Sequence, residues 1–562
     1  MFRDDYASEL EYLHALAGEV ARDHPHDAPL LGREASPAGA RLLQCAAFAF
    51  AKLRQRLDDD LPEVIHPVLE SLAPALLRPL PGATIVELRP EASLKASLTL
   101  PAGTTFGSVP VEGAPCTFRS TVDIDVHPWR LERVSLSEDR RELRFVLAPL
   151  RGGKLDAAPG APLRLFLAGP TSAALDLRRA LLRDARLVSA RGERGASVVL
   201  HDRAPPLTSK PPLSGASGER RELALARAYF AWPSFFTFVD VPNAERALAL
   251  AKTGNVEISI ALAEPLPRAL AVADETFRLH CVPALNVRRL PEPIHAPLRN
   301  ARCAVALPLA GLQVHAIGKV TLVHRDLTTR DAAPESAFFP PVVERDGRAP
   351  PLFAVERRAS VLGPHPIVSL AFEGPELATV DAAKIEVEVI DGARAERLGV
   401  GDVSVPVPGS PALVSFANVT PITRAVPPAF DDERAWRWFR LLKSSFAELA
   451  TREALAECLA LANGPAWAAW PAAKPDARSF APLVDVRVSA SIAATTLRSS
   501  VDLIVRSEGF DGVGDVHLFG EVVLELLAAA LPLDEAFSLT VHDTEGTLFF
   551  SAPPRAGTRE AL

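Results

Sequence analysis
The sequence predicts a predominantly β, α+β protein with an N-terminal helical segment, β-sandwich-like middle domains and a C-terminal α+β unit. Three observations predict it. Apolar residues recur at steps of three and four before Pro79 and at steps of two after it, the periods of a helix face and of a half-buried strand. The chain carries 51 prolines among 562 residues, about twice the average share, which favours irregular connections and edge strands over long helices. Its C-terminal end runs strand, strand, helix, strand, the order of a compact α+β unit.

Tyr6, Leu10, Leu13, Ala17 and Val20 form the first helical stripe, which ends at His24-Pro25 because a residue before proline is pushed out of the helical region. Leu43, Ala46, Phe50, Leu53 and Leu57 repeat the stripe. Asp60-Leu61-Pro62-Glu63 then reads as the start of a third helix, with Asp60 as cap and Pro62 in the first turn, followed by Ile65, Leu69, Leu72 and Leu76. The stripes span about two heptads each, short of the three or four that a coiled coil needs. They suit a small bundle or docking against a partner's helices.

Beyond Pro79 the alternation in Leu143–Leu147, Leu163–Leu167, Ile258–Leu262 and Ile385–Val389 predicts strands apolar on one face and wet on the other, as in antiparallel sheets. Helical patches fall at Leu175–Leu182 and Glu222–Ala228. The closing region predicts a helix over Ala435–Ala462 broken at Asn463-Gly464-Pro465, and strands around Val484–Val488 and Val501–Val505. A helix over Val516–Ala530 and a strand around Phe537–Val541 follow. The expected division is 1–78, 79–275, 276–425 and 426–562.

A net charge of −8 and the lack of clustered Lys and Arg argue against nucleic-acid binding, which needs basic phosphate contacts. The longest apolar runs, Leu42–Leu53 and Val522–Leu533, are interrupted by Gln44, Lys52 or Glu525, so no segment reaches the roughly 20 apolar residues of a bilayer span. Cys45, Cys116, Cys281, Cys303 and Cys458 are odd in number and far apart, with no redox or zinc spacing and no signal peptide. That pattern predicts a reducing compartment, the bacterial cytoplasm.

Catalytic chemistry has little to stand on. Ser214-Gly215-Ala216-Ser217-Gly218 lacks the spacing of a nucleophile elbow. His24 and His26 have no third metal ligand nearby, and Asp58-Asp59-Asp60 is explained by helix capping. Gly512-Val513-Gly514 precedes a helix but lacks the third glycine and the βαβ setting of a phosphate-binding turn. No cofactor, metal or catalytic residue is expected. The segment Ala226–Val239 concentrates Tyr229, Phe230, Trp232, Phe235, Phe236 and Phe238, either as a core plug between layers or as an aromatic anchor at a subunit interface. From residues alone, a structural assembly protein, a β-rich hydrolase and a ligand-binding β-sandwich all stay open.

A family resemblance narrows these. Tyr6-Ala7-Ser8-Glu9-Leu10-Glu11-Tyr12-Leu13, Glu19-Val20-Ala21-Arg22-Asp23-His24-Pro25 and Leu53-Arg54-Gln55-Arg56-Leu57-Asp58-Asp59-Asp60-Leu61-Pro62 are followed by Leu77-Arg78-Pro79-Leu80-Pro81 and Pro101-Ala102-Gly103-Thr104. Then come the aromatic stretch Tyr229–Val239, the block Phe277–Asn286 with Glu292-Pro293-Ile294, and Phe510-Asp511-Gly512 with Leu518-Phe519-Gly520. In that order they resemble the TssF family (VasA, ImpG), baseplate subunits of the type VI secretion system. Gly39-Ala40, Val287-Arg288 after Asn286, and Asp391-Gly392-Ala393-Arg394 depart from the family's strings and mark a divergent branch. The resemblance implies a wedge built from two copies of this subunit and one TssG-like subunit. It also implies contacts to TssK, the sheath initiator TssE and the VgrG spike, at the cytoplasmic side of the inner-membrane complex, with no direct membrane insertion. The interface candidates are Tyr6, Leu10, Leu13, Val20, Leu43, Phe50, Leu53, Leu57, Tyr229, Phe230, Phe235, Phe236 and Phe519.

Overall fold
Residues 6, 10, 13, 14, 16 and 17 are helical, and a 36-residue helix, α1 (Pro37–Leu72), follows. The computed structural model describes these residues together with 73–150, 162–201, 207–209, 220–250, 254–309, 311–336, 349–358, 366–374, 377–428, 432–463, 482–493 and 496–559. Side chains 37–40, 51–64, 432–433, 491–493 and 496–497 lie outside the description. The remaining helices are α2 (Thr171–Asp184), α3 (Arg221–Ala231), α4 (Ala244–Leu248), α5 (Asp432–Lys443), α6 (Phe446–Leu449), α7 (Arg452–Asn463) and α8 (Val513–Ala530).

The expected start of a third helix at Asp60–Glu63 is not one: α1 runs straight through Pro62 and Pro67. An internal proline deletes one backbone hydrogen bond and costs about 3 kcal/mol. Burial of Ile65 and Leu69 with Ala435, Trp438 and Leu441 of α5 in one core offsets that cost by holding the turns that follow Pro62 and flank Pro67. The continuous helix expected over Ala435–Ala462 is instead three short ones. Ser445 and Glu448 close a capping box that restarts the chain at α6, with the Ser445 N–H donating to Glu448 Oε2 at 2.8 Å.

Five sheets carry most of the remaining chain. One five-stranded antiparallel sheet is ordered in space Val414–Asn418, Ala83–Pro90, Cys281–Leu285, Ala114–Ser120, Thr105–Val111, so it gathers strands from three distant stretches of chain. A second is ordered Ser197–His201, Ala185–Gly192, Val256–Leu262, Glu142–Pro149, Trp129–Leu136. An eight-stranded sheet spans Arg288 to Ile390 and contains one parallel pair, Thr329–Pro334 beside Leu352–Arg358.

The small sheet Phe238–Val241, Leu163–Leu167, Phe277–Arg278 is a wall shared by two cores. Leu163, Leu165, Leu167, Val239 and Val241 join the core of the second sheet and α2, whereas Phe166 and Phe238 join the large helical core on the other side. Strand Leu163–Leu167 is therefore covered on both faces, where alternation predicts one wet face. Arg164 reaches out of the strand to Asp240 at 2.8 Å, which lets a charged residue sit in that wall.

The closing unit is ordered Leu483–Ala493, Thr496–Val505, Ala536–Asp543, Leu548–Ala556, with the middle two strands parallel and joined through α8. The period of two does not predict the fourth strand, Leu548–Ala556, because Leu-Phe-Phe-Ser-Ala-Pro-Pro breaks the alternation.

Candidate assembly surfaces
The aromatic segment lies inside the chain. Its one proline explains its shape: α3 stops at Ala231, and Pro233 opens a single turn of 3-10 helix over Pro233–Phe236 that delivers the rings inward. Tyr229, Trp232, Phe235, Phe236 and Phe238 are all buried, and Phe230 packs against the same cluster. The Tyr229 hydroxyl donates to Asp515 Oδ1 at 3.0 Å, and its ring faces Phe519 at 6.2 Å. Tyr229, Phe235, Phe236 and Phe519 thus join the closing unit to the middle of the same chain. Their area is already covered without a second subunit.

Gly512-Val513-Gly514 has its anion supplied from within. The Gly514 N–H at the start of α8 donates to Asp176 Oδ1 of α2 at 2.6 Å, which places a carboxylate on the positive end of the helix dipole. Gly514 is required there. A Cβ on it would stand 2.3 Å from the carbonyl carbon of Leu175. On the same two helices, Arg178 Nη1 and Nη2 donate to Glu521 Oε1 and Oε2 at 3.1 and 2.7 Å, and Arg178 Nε donates to Ser209 Oγ at 3.0 Å. Burial pushes the Glu521 carboxyl up, but Arg178 and the His517 ring more than reverse this and hold it at about 2. No local sequence signal identifies this pair, since its members stand 343 positions apart.

Other titratable groups are locked as well. His280 Nε2 accepts from the Trp129 indole at 3.0 Å and from the His127 backbone N–H at 3.1 Å. Burial, with His127 beside it, lowers its pKa to about 3. His315, bonded to the Pro79 carbonyl at 3.1 Å, is lowered to about 4, chiefly by burial. Burial raises the Cys116 and Cys303 thiols to about 11 and Cys458 to about 12, far from the reactive thiolate range. The five cysteines form no disulfide.

Two of the sequence departures meet in space. Asn286 Nδ2 donates to Asp391 Oδ2 at 2.9 Å, the Asp391 N–H donates to Asn286 Oδ1 at 2.8 Å, and Arg288 and Arg394 lie 3.8 and 3.5 Å from Asp391 Oδ1. Among the described residues no group of three or more His, Cys, Asp and Glu side chains stands where it could hold a metal. His24 and His26 lie outside the described residues, as do the side chains of Asp58, Asp59 and Asp60.

The N-terminal candidates divide. Tyr6, Leu10 and Leu13 are half-buried, Leu43 is buried, and Phe50 is 48% exposed. Val20 lies outside the described residues, as do the side chains of Leu53 and Leu57. Leu42, 68% exposed, and Leu16, 42% exposed, add apolar surface that the stripes did not select. Leu42 stands off the stripe because it precedes Leu43 and sits about 100° around the helix from it. Over 41–50, Leu43 and Ala47 are buried while Leu42 and Phe50 face outward.

The sequence profile described as "Type VI secretion system, TssF" matches residues 1–559. "Type VI secretion system component TssF1" of Pseudomonas aeruginosa (strain PAO1) is 28% identical over 401 residues, which cover 64% of this chain and 63% of that protein. The cryo-electron microscopy structure of the type VI secretion system TssK-TssF-TssG baseplate subcomplex contains a similar chain at TM-score 0.73 and 22% identity. That match covers 93% of this chain and 99% of the other. A chain of the type VI secretion baseplate complex matches at TM-score 0.60 and 20% identity over 100% of both. At these identities the two structures establish a shared fold. No described helix is long and apolar enough to cross a membrane.

Proposed function
The chain belongs to the type VI secretion system TssF family, and from that premise we propose that it is a structural wedge subunit of a contractile secretion baseplate. The observation that carries this is the family match along residues 1–559. In this reading two copies join one TssG-like subunit. The wedge carries TssK, meets TssE and surrounds a VgrG spike at the cytoplasmic side of the inner-membrane complex. The subunit works by holding positions, without catalysis. The engagement of Arg178, Glu521, His280 and Asp391 in internal bonds supports that view, since these are the groups burial would otherwise activate.

The docking element is the N-terminal helical segment. Support comes from Leu42 and Phe50, apolar side chains of α1 left exposed beside the buried Leu43 and Ala47. The test is capture of a TssG-like partner by the full-length chain carrying Leu42→Glu and Phe50→Glu. A carboxylate forced into a packed helix seam costs several kcal/mol, so capture falls at least about a hundredfold while the thermal unfolding of the chain is unchanged. Undiminished capture by the double variant overturns the assignment of this surface. Failure of the wild-type chain to bind any TssG-like partner overturns the baseplate reading itself.

A further inference from the structure
The two edges of the closing sheet are built differently. Leu548–Ala556 carries Pro553 and Pro554, which have no N–H to offer, and Arg555 is turned back onto Glu525 of α8 at 2.9 Å. Its pairing with Ala536–Asp543 is also interrupted twice by register shifts. Prolines, charges and bulges of this kind keep an edge from taking on another strand.

The opposite edge, Leu483–Ala493, is built otherwise. Among the described residues it pairs with Thr496–Val505 alone. Its one irregularity falls between Leu483 and Asp485. From Val486 to Ala493 it has no proline and no lysine, and Arg487 is its single charge. Arg487 to Ala490 are exposed, including Val488 at 48%. An exposed edge without proline or lysine, regular from Asp485 onward, is one that another strand can extend.

Its residues also specify which strand fits. Val486 and Val488 lie on one face, and Asp485 and Arg487, linked at 3.0 Å, lie on the other. A second copy laid antiparallel across a twofold axis at Val486 would bring Val486 opposite itself. Asp485 would then stand opposite Arg487 on both sides of the axis, and no like charges would meet. We propose that this edge is the docking surface for the same strand of a second copy, joining two four-stranded sheets into one of eight. The inference rests on the reading that the assembly holds two copies of this subunit, and it names the surface they share.

The test uses two differently tagged full-length copies and measures capture of one by the other. Asp485 and Arg487 are 43% and 69% exposed, so reversing either charge leaves the interior untouched. Asp485→Arg alone turns both cross-strand attractions into repulsions, and so does Arg487→Asp. Each variant is expected to lose self-capture by at least about tenfold. Mixed together, the two variants present two arginines to two aspartates and are expected to recover wild-type capture. Three results overturn the proposal: wild-type copies that do not capture each other, capture indifferent to either reversal, or a mixture that does not recover. Binding of a TssG-like partner, measured on the same variants, separates the two readings. If it persists while self-capture fails, only the edge is refuted.

Discussion
At the scale of single residues, histidine burial decides how this protein answers acid. His280 is neutral because its Nε2 must accept from Trp129 and from the His127 backbone, and protonation would remove that acceptor. Its folded pKa of about 3 lies below the ordinary 6.5 of the unfolded chain. The unfolded state therefore binds the extra proton between those values. The stability that neutral His280 contributes is full above about pH 6.5 and is lost progressively as pH falls toward 3. His315, at about 4, acts in the same direction. Between pH 7.5 and 5 each histidine removes about 2 kcal/mol, so urea unfolding midpoints should fall steeply over that range. A His280→Gln variant should be less stable at pH 7.5 and should show a shallower decline. An unchanged slope would mean that His280 is hydrated in solution.

At the scale of elements, the join between α2 and α8 holds the closing unit on the middle of the chain. The two helices approach closely because Gly514 has no side chain, and Asp176 caps α8 from across the contact. Arg178, 2% exposed, then spans to Glu521. Removing one member of such a pair costs about 3–5 kcal/mol because the other charge is left without its partner, whereas replacing both can be nearly neutral. Arg178→Met should therefore lower the unfolding midpoint sharply. Arg178→Met with Glu521→Leu should recover most of the loss in a double-mutant cycle measured by denaturant unfolding. If the double variant is as unstable as the sum of the singles, the pair acts independently and the join depends on Gly514 and Asp176 instead.

At the scale of the whole molecule, the N-terminal segment is both docking candidate and structural member. Ile65, Leu69, Leu76 and Leu77 belong to the largest core, and Glu70 receives Arg357 Nη1 at 2.9 Å from the eight-stranded sheet. Burying a large aliphatic side chain contributes about 1.5–3 kcal/mol, so these four contribute roughly 10 kcal/mol, comparable with the whole stability of a typical domain. Deleting residues 2–80 should abolish cooperative unfolding, read by circular dichroism on heating, as well as partner binding. A truncated chain that melts cooperatively near the wild-type temperature would show that α1 is an appendage. Binding at this surface is therefore best probed by substitution at exposed Leu42 and Phe50.

What the amino-acid order determined by itself was local. The period of two placed the strands at Glu142–Pro149, Val256–Leu262 and Val380–Ile390, and the period of three and four placed α2, α3 and α8, because neighbouring positions share a face whatever lies beyond it. The family was legible as well, in short strings dispersed in order along the chain. Tertiary structure decided what covers each face. It ran α1 through Pro62 because α5 holds its far turns, and it buried Leu163–Leu167 on both sides because a second core lies behind it. It turned Tyr229, Phe235, Phe236 and Phe519 into interior joints and brought Asp176 to Gly514 across 338 positions. Contacts between residues so far apart leave no periodic trace, because their free energy depends on the partner brought opposite and not on the residues beside them.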